Sequence, residues 1–241
     1  MKLFFLFCLL FAFVGCVSYD DFDTSKPAGA YGLGKQLEDD DRFEEALTQY
    51  RDVKNRFPYS QFAIEAELRM AEVYFKKETY PEAQSAYQVF KELHPRHEKI
   101  DYVTFQIGES IFKQLPTTID RDLALAPIAM KDFEVLIRDY PKSHYVDEAQ
   151  KRINEIVDML AQKELYIADF YFRTEKWQSA LVRYEKYLQE FPVHKARPRA
   201  LLRAGISADH FGDPNKKNLL LRRLIKEYPQ SKEAKKAKEE L

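Results

Sequence analysis

Cysteine is almost missing from this chain: of 241 residues only Cys8 and Cys16 carry a thiol. Cys8 would leave with a cleaved N-terminal leader. No cysteine then remains free for a disulfide, a thiolate nucleophile or a zinc site. Glycine is scarce too, at seven residues, and no Val/Ile-rich alternating runs stand between turn signals, which argues against a sheet. The formal net charge is −1, so nothing favours nucleic acid as a partner. Glycine-rich phosphate loops and Gly-x-Ser-x-Gly are absent. The five histidines, His94, His97, His144, His194 and His210, have no cysteine or HExxH-like partner at metal-ligand spacing. Acidic residues are numerous, yet none is singled out as an acid–base pair. No catalytic residue, metal or cofactor is expected, and the chain reads as a binding protein rather than an enzyme.

What is present is a repeat. Pro58, Pro95, Pro141, Pro192 and Pro229 are each preceded by an aromatic residue or histidine: Phe57, His94, Tyr140, Phe191 and Tyr228. Twelve residues before each proline stand Ala46, Ala83, Ala129, Ala180 and, in the last copy, Lys217. Eight before stand Tyr50, Tyr87, Phe133, Tyr184 and Leu221. A second small residue, Gly34, Ala71, Gly108, Ala168 or Gly205, marks where the first helix of each copy crosses the second. The proline ends the second helix, since the residue before it is pushed out of the α region. A period of about 34–37 residues with these marks resembles the tetratricopeptide (TPR) pattern. The expected fold is therefore all-α: a right-handed TPR superhelix of about five helix pairs.

The spacing also breaks twice. Pro58 to Ala71, Pro95 to Gly108 and Pro192 to Gly205 are each 13 apart, but Pro141 to Ala168 is 27, an excess of 14. With no Gly or Pro in that stretch, one extended central helix is expected from about Val146 to Thr174. Gly108 to Pro141 is 33 rather than 24, placing nine extra residues around Leu115-Pro116-Thr117-Thr118-Ile119-Asp120-Arg121-Asp122. Two charge runs read as solvated surface: Glu38-Asp39-Asp40-Asp41 as an inter-helix loop, and the lysine-rich end from Lys232 as a helix end.

Met1-Lys2 followed by the twelve-residue apolar run Leu3–Val14 is too short to span a bilayer and has the form of a signal peptide. It ends in Phe13-Val14-Gly15-Cys16, which resembles a bacterial lipobox, so Cys16 is the expected lipidation site, and two or more acyl chains on it give stable anchoring. Residues 1–15 are then the lipoprotein signal peptide and 16–28 a lipid-anchored tether. Ordinary signal cleavage, leaving Cys16 free, is the alternative. Val17-Ser18 after the cysteine resembles the outer-membrane sorting type.

First helices of stacked pairs line a groove that can take a peptide. Counting from the small crossing residues, the expected peptide-binding groove is Tyr31, Lys35, Leu68, Phe75, Lys76, Tyr102, Phe105 and Phe112, joined by Lys113. Its aromatics and lysines suit an aromatic-rich extended peptide ending in a carboxylate. Equally, half of these positions could pack against the neighbouring repeat. A basic surface with Arg197, Arg199 and Arg203, beside Lys195, Arg173 and Arg183, is by default a solvated face, and in the sharper reading the site for an acidic protein partner.

Several stretches go beyond a generic TPR: His94-Pro95 with Ile100-Asp101-Tyr102-Val103; Asp120-Arg121-Asp122; Tyr140 to Ala149 with Arg152; and Glu164 to Tyr171. With both insertions and the lipobox, the chain resembles the BamD/ComL/YfiO family of outer-membrane β-barrel assembly lipoproteins. That resemblance implies a scaffold on the periplasmic face of the outer membrane of a Gram-negative-type bacterium. It implies that residues 115–241 hold a POTRA domain of an Omp85-type barrel subunit, and that residues 29–114 receive C-terminal signals of unfolded outer-membrane proteins. Other assembly lipoproteins are further implied partners. A periplasmic TPR coordinator of the Tol–Pal and peptidoglycan systems, or a pilus-assembly lipoprotein, matches less: the former usually has an N-terminal coiled coil and no lipobox, and the two insertions tell against the latter.

Overall fold

A computed structural model describes residues 21–241; the signal peptide, Cys16 and the start of the tether, up to residue 20, lie outside the described residues. The described chain is helical, with α1 Pro27–Asp39, α2 Phe43–Arg56, α3 Gln61–Lys76, α4 Tyr80–Leu93, α5 Ile100–Lys113 and α6 Ala126–Asp139. It continues with α7 Val146–Arg173, α8 Trp177–Glu190, α9 Arg197–Phe211, α10 Pro214–Glu227 and α11 Lys232–Glu239. The helices gather into two compact units, Met1–Lys77 and Glu78–Leu241. The division thus falls after α3, whereas the sequence suggested functional halves meeting at 114/115.

In the first unit α2 packs against both α1 and α3. In the second, each helix from α4 to α10 packs against the next along the chain. The crossing residues explain the close approach. A Cβ on Gly34 would sit 2.8 Å from the Tyr50 ring, and one on Gly108 would sit 3.0 Å from Phe133. Tyr50, Phe133 and Tyr184, each eight before a repeat proline, are fully buried, worth about 1.5–3 kcal/mol apiece in transferred apolar surface.

The aromatic–proline marks are helix ends. Phe57, His94, Tyr140, Phe191 and Tyr228 cap α2, α4, α6, α8 and α10, each donating its backbone N–H to the carbonyl four residues back. First helices end differently. Asp41, Glu78, Glu175 and Gly212, each seven residues past a crossing residue, adopt left-handed φ of 58°, 59°, 56° and 90°. The following amides close the turn on the helix: Arg42 to Leu37, Lys176 to Tyr171 and Asp213 to Ala208. Glycine takes this position once only; the others hold it at a steric cost.

Both irregularities fall where the spacing predicts. α7 is 28 residues long, and residues 114–125 form the inserted connection between α5 and α6. Two expectations need correction. Glu38 is not in a solvated loop: it lies in α1 and is 2% exposed. The lysine-rich end is not simply a solvated helix end, because α11 is an additional helix beyond the five pairs. Its Ala234 and Ala237 are fully buried, and it packs on α9 and α10.

Candidate functional site

One register position organises the charges on the first helices. Arg69 and Arg203 each stand two residues before a crossing residue, and Arg152 does too once the 14 extra residues of α7 are subtracted (168 − 14 − 2 = 152). Each arginine meets a carboxylate and an aromatic ring from the preceding first helix.

In the first unit the carboxylate is Glu38. It accepts a hydrogen bond from the Tyr50 hydroxyl at 2.8 Å, Lys76 Nζ lies 2.5 Å away, and Arg69 pairs with it at 3.9 Å. Arg69 also reaches the Tyr31 hydroxyl at 3.4 Å and Glu72 at 2.8 Å. Burial and the adjacent Glu38 carboxylate push the Tyr50 phenol well above its ordinary range. Burial works against the Arg69 charge, but Tyr31, Glu72 and Glu38 outweigh it and hold the guanidinium firmly protonated. Around this cluster Tyr31 and Phe75 are half-buried, while Lys35 and Lys76 are exposed. Leu68 is 1% exposed. Placing it on the groove surface was incorrect; its side chain belongs to the core.

In the second unit Glu109 holds Arg152 through two hydrogen bonds, 2.8 and 3.0 Å, a bidentate geometry. Arg152 further pairs with Glu148 at 3.2 Å and Glu155 at 3.0 Å, and its guanidinium lies 4.8 Å over the Phe112 ring. Lys113 approaches Glu109 at 3.8 Å. Tyr102 and Phe112 are half-buried. Phe105, expected on the groove, is instead 7% exposed, stacked on Tyr145 at 5.1 Å and tilted against Phe133 at 5.7 Å. Its position one turn before Gly108 points it into the helix crossing.

Further along, Asp169 of α7 takes three donors. Tyr184 Oη and Arg203 Nη1 both lie 2.5 Å from it, and Arg199 lies at 3.3 Å. Arg203 lies 5.2 Å over Phe172, and neighbouring Glu164 holds Lys186 at 3.0 Å and Arg183 at 3.3 Å. Tyr166 and Phe170 stand exposed on α7. Arg197 departs from its expected surface role. It is 3% exposed, and donates to the Leu188 and Phe191 carbonyls at 2.7 and 3.3 Å and to the Tyr228 hydroxyl at 2.9 Å. Those bonds satisfy the otherwise open carbonyl end of α8. Arg197 is thus internal, while Arg199 is exposed and Arg203 half-exposed.

Sequence reading singled out neither Asp169 nor Tyr166 and Phe170 as site residues, and it missed Arg69 and the clamping role of Arg152. The arginine register was available, but only after the α7 excess is subtracted.

The chain matches the YfiO family, described as outer membrane lipoproteins, over residues 23–220. It belongs to that family. A protein named outer membrane protein assembly factor BamD from Vibrio cholerae is 27% identical over 165 residues, covering 65% of this chain and 68% of that one. The protein of that name from Neisseria meningitidis is 27% identical over 158 residues, covering 62% of this chain and 59% of its own length. The one from Pasteurella multocida is 24% identical over 201 residues, covering 79% and 77%. Among solved structures, the TPR2AB-domain:pHSP90 complex of yeast Sti1 aligns with a TM-score of 0.46 at 14% identity, over 87% of this chain and 80% of that one. Among the described residues no helix is long and apolar enough to cross a membrane.

Proposed function

We propose that the protein is a non-catalytic lipoprotein scaffold of the outer-membrane β-barrel assembly machine, anchored through Cys16 to the periplasmic face of the outer membrane. Membership of the YfiO family across residues 23–220 carries this reading, and the relatives named as outer membrane protein assembly factors support it. The second unit contributes the docking surface for the Omp85-type subunit. Asp169 is shared by two arginines and cannot neutralise both, so Arg199 and Arg203 present surplus positive charge beside the exposed Tyr166 and Phe170. An acidic face of a POTRA domain complements that surface. On the first unit, Tyr31, Lys35, Phe75 and Lys76 form a surface suited to aromatic, carboxylate-ended signals of unfolded outer-membrane proteins, and Tyr102 and Phe112 form a separate one on the second unit.

Co-purification of the tagged, membrane-extracted protein tests this. Recovery of an Omp85-type barrel subunit is expected; recovery of Tol–Pal components without one contradicts the reading. Cys16→Ala is expected to release the protein from membranes into the soluble periplasm, and persistent attachment would show another anchor. Phe112→Glu is expected to weaken crosslinking to a peptide ending in an aromatic residue with a free carboxylate, and unchanged crosslinking would move that site elsewhere.

A further inference from the structure

A groove of about 440 Å³ lies on the second unit, built from residues that none of the arginine clusters uses. Gln88, Lys91 and Glu92 of α4 line one side, Asp132 of α6 and its capping Tyr140 the other, and Ile100 and Ile107 of α5 supply the apolar lining. A second depression, sharing Ile100 and Tyr140, prolongs it toward Glu98 and Lys142. The two depressions adjoin at Ile100 and Tyr140.

Lys91 and Asp132 stand on opposite sides, with Glu92 beside Lys91. Lys91 is attracted by Asp132 and also by Asp139, and Asp132 by Lys91 and also by Lys131, yet among the described residues neither Lys91 nor Asp132 makes a hydrogen bond or an ion pair. Burial disfavours the ammonium of Lys91 and equally the carboxylate of Asp132, lowering the first group's pKa and raising the second's. Elsewhere in this chain charges shielded from solvent are clamped, as Glu109 is by Arg152 and Asp169 by Arg203. Two partly desolvated charges facing across a gap are costly to leave unpaired. A ligand offering a cation to Asp132 and a carboxylate to Lys91 satisfies both at once.

We propose that this groove docks an extended segment of a partner protein in which an acidic and a basic residue are adjacent. Neighbouring side chains of an extended chain project to opposite sides. A Glu-Arg or Asp-Lys step lying along the apolar lining thus sends its carboxylate to Lys91 and its cation to Asp132. The backbone and the aliphatic stems of that step lie over Ile100 and Ile107.

The test uses a fluorescein-labelled peptide of sequence Ser-Val-Glu-Arg-Val-Ser, with Ser-Val-Gln-Gln-Val-Ser as control, titrated by anisotropy against the full-length detergent-extracted protein. The Glu-Arg peptide is expected to bind at least tenfold more tightly than the control. Lys91→Glu and Asp132→Lys are each expected to remove that preference. The double reversal Lys91→Glu/Asp132→Lys is expected to restore it, because the peptide can then lie in the opposite direction. Thermal melts establish that each variant is folded, and the restored double variant shows that the single losses are not unfolding. Equal binding of both peptides, or single variants that bind like the wild type, overturns the proposal. So does tighter binding of a helix-forming peptide of the same composition, which would assign the groove to a helix. Phe112→Glu is expected to leave this binding unchanged, so failure here is separable from failure of the signal-receiving reading.

Discussion

Arg152 and Arg203 occupy the same register position and both lie over an aromatic ring, yet their surroundings differ in one respect, the count of carboxylates. Arg152 is enclosed by Glu109, Glu148 and Glu155 and is 19% exposed. At Asp169 the proportion is reversed: one carboxylate serves Arg199, 44% exposed, and Arg203, 31% exposed. The first cluster consumes its positive charge internally and ties α5 to α7. The second leaves positive charge over, on a surface with exposed aromatics. The same repeat position is thus a brace in one place and an available docking group in the other, and the neighbouring carboxylates decide which.

The sharpest way to break this contrast is to delete each arginine. Arg152→Leu strands the buried Glu109 carboxylate with only Lys113 nearby, so a loss of about 3 kcal/mol in chemical denaturation is expected. Arg199→Leu is expected to cost less than about 0.5 kcal/mol, since the exposed pair is screened and Arg203 and Tyr184 still hold Asp169. Similar losses at both sites would mean that the clusters are not different in kind.

A third charged place, Asp132, has no clamp at all. Burial raises its pKa in the folded state above the ordinary carboxylate value of 3.8. The fold therefore favours the protonated form, and stability is lost as pH rises through the folded pKa. Asp132→Asn is expected to melt at a higher temperature than the wild type at pH 7, with the difference vanishing below about pH 3.8. A lower melting temperature at pH 7 would show that Asp132 is already satisfied. A modest gain is expected at the first-helix turns. Glu175→Gly relieves a left-handed residue that the last repeat already fills with Gly212, for a gain of about 0.5–1 kcal/mol. No gain would mean that Glu175 is held there without strain.

Much of the fold was legible because its signals are local and periodic. Prolines with aromatic caps mark helix ends, Gly34 and Gly108 mark crossings against Tyr50 and Phe133, and simple subtraction locates α7 and the insert. Exposure was less legible. Leu68, Phe105 and Arg197 sit at positions that a generic repeat would expose, but the neighbouring helices cover them. Phe105 is taken up by Tyr145, which lies just before the extended helix, and Arg197 by the open end of α8. A spacing rule written within one repeat does not contain that information. Glu38 illustrates the same limit: a four-residue acidic run looks solvated until Tyr50 and Lys76, distant in sequence, are brought to it.

Partner affinity tests the central contrast most directly. Titration calorimetry with the isolated POTRA region of the Omp85-type subunit compares the wild type with Arg199→Glu and with a Lys113→Glu control beside the Arg152 cluster. The account predicts that Arg199→Glu weakens binding by at least tenfold, about 1.4 kcal/mol, with an unchanged melting temperature, and that Lys113→Glu leaves binding intact. Wild-type affinity in Arg199→Glu, or equal losses in both variants, would contradict it.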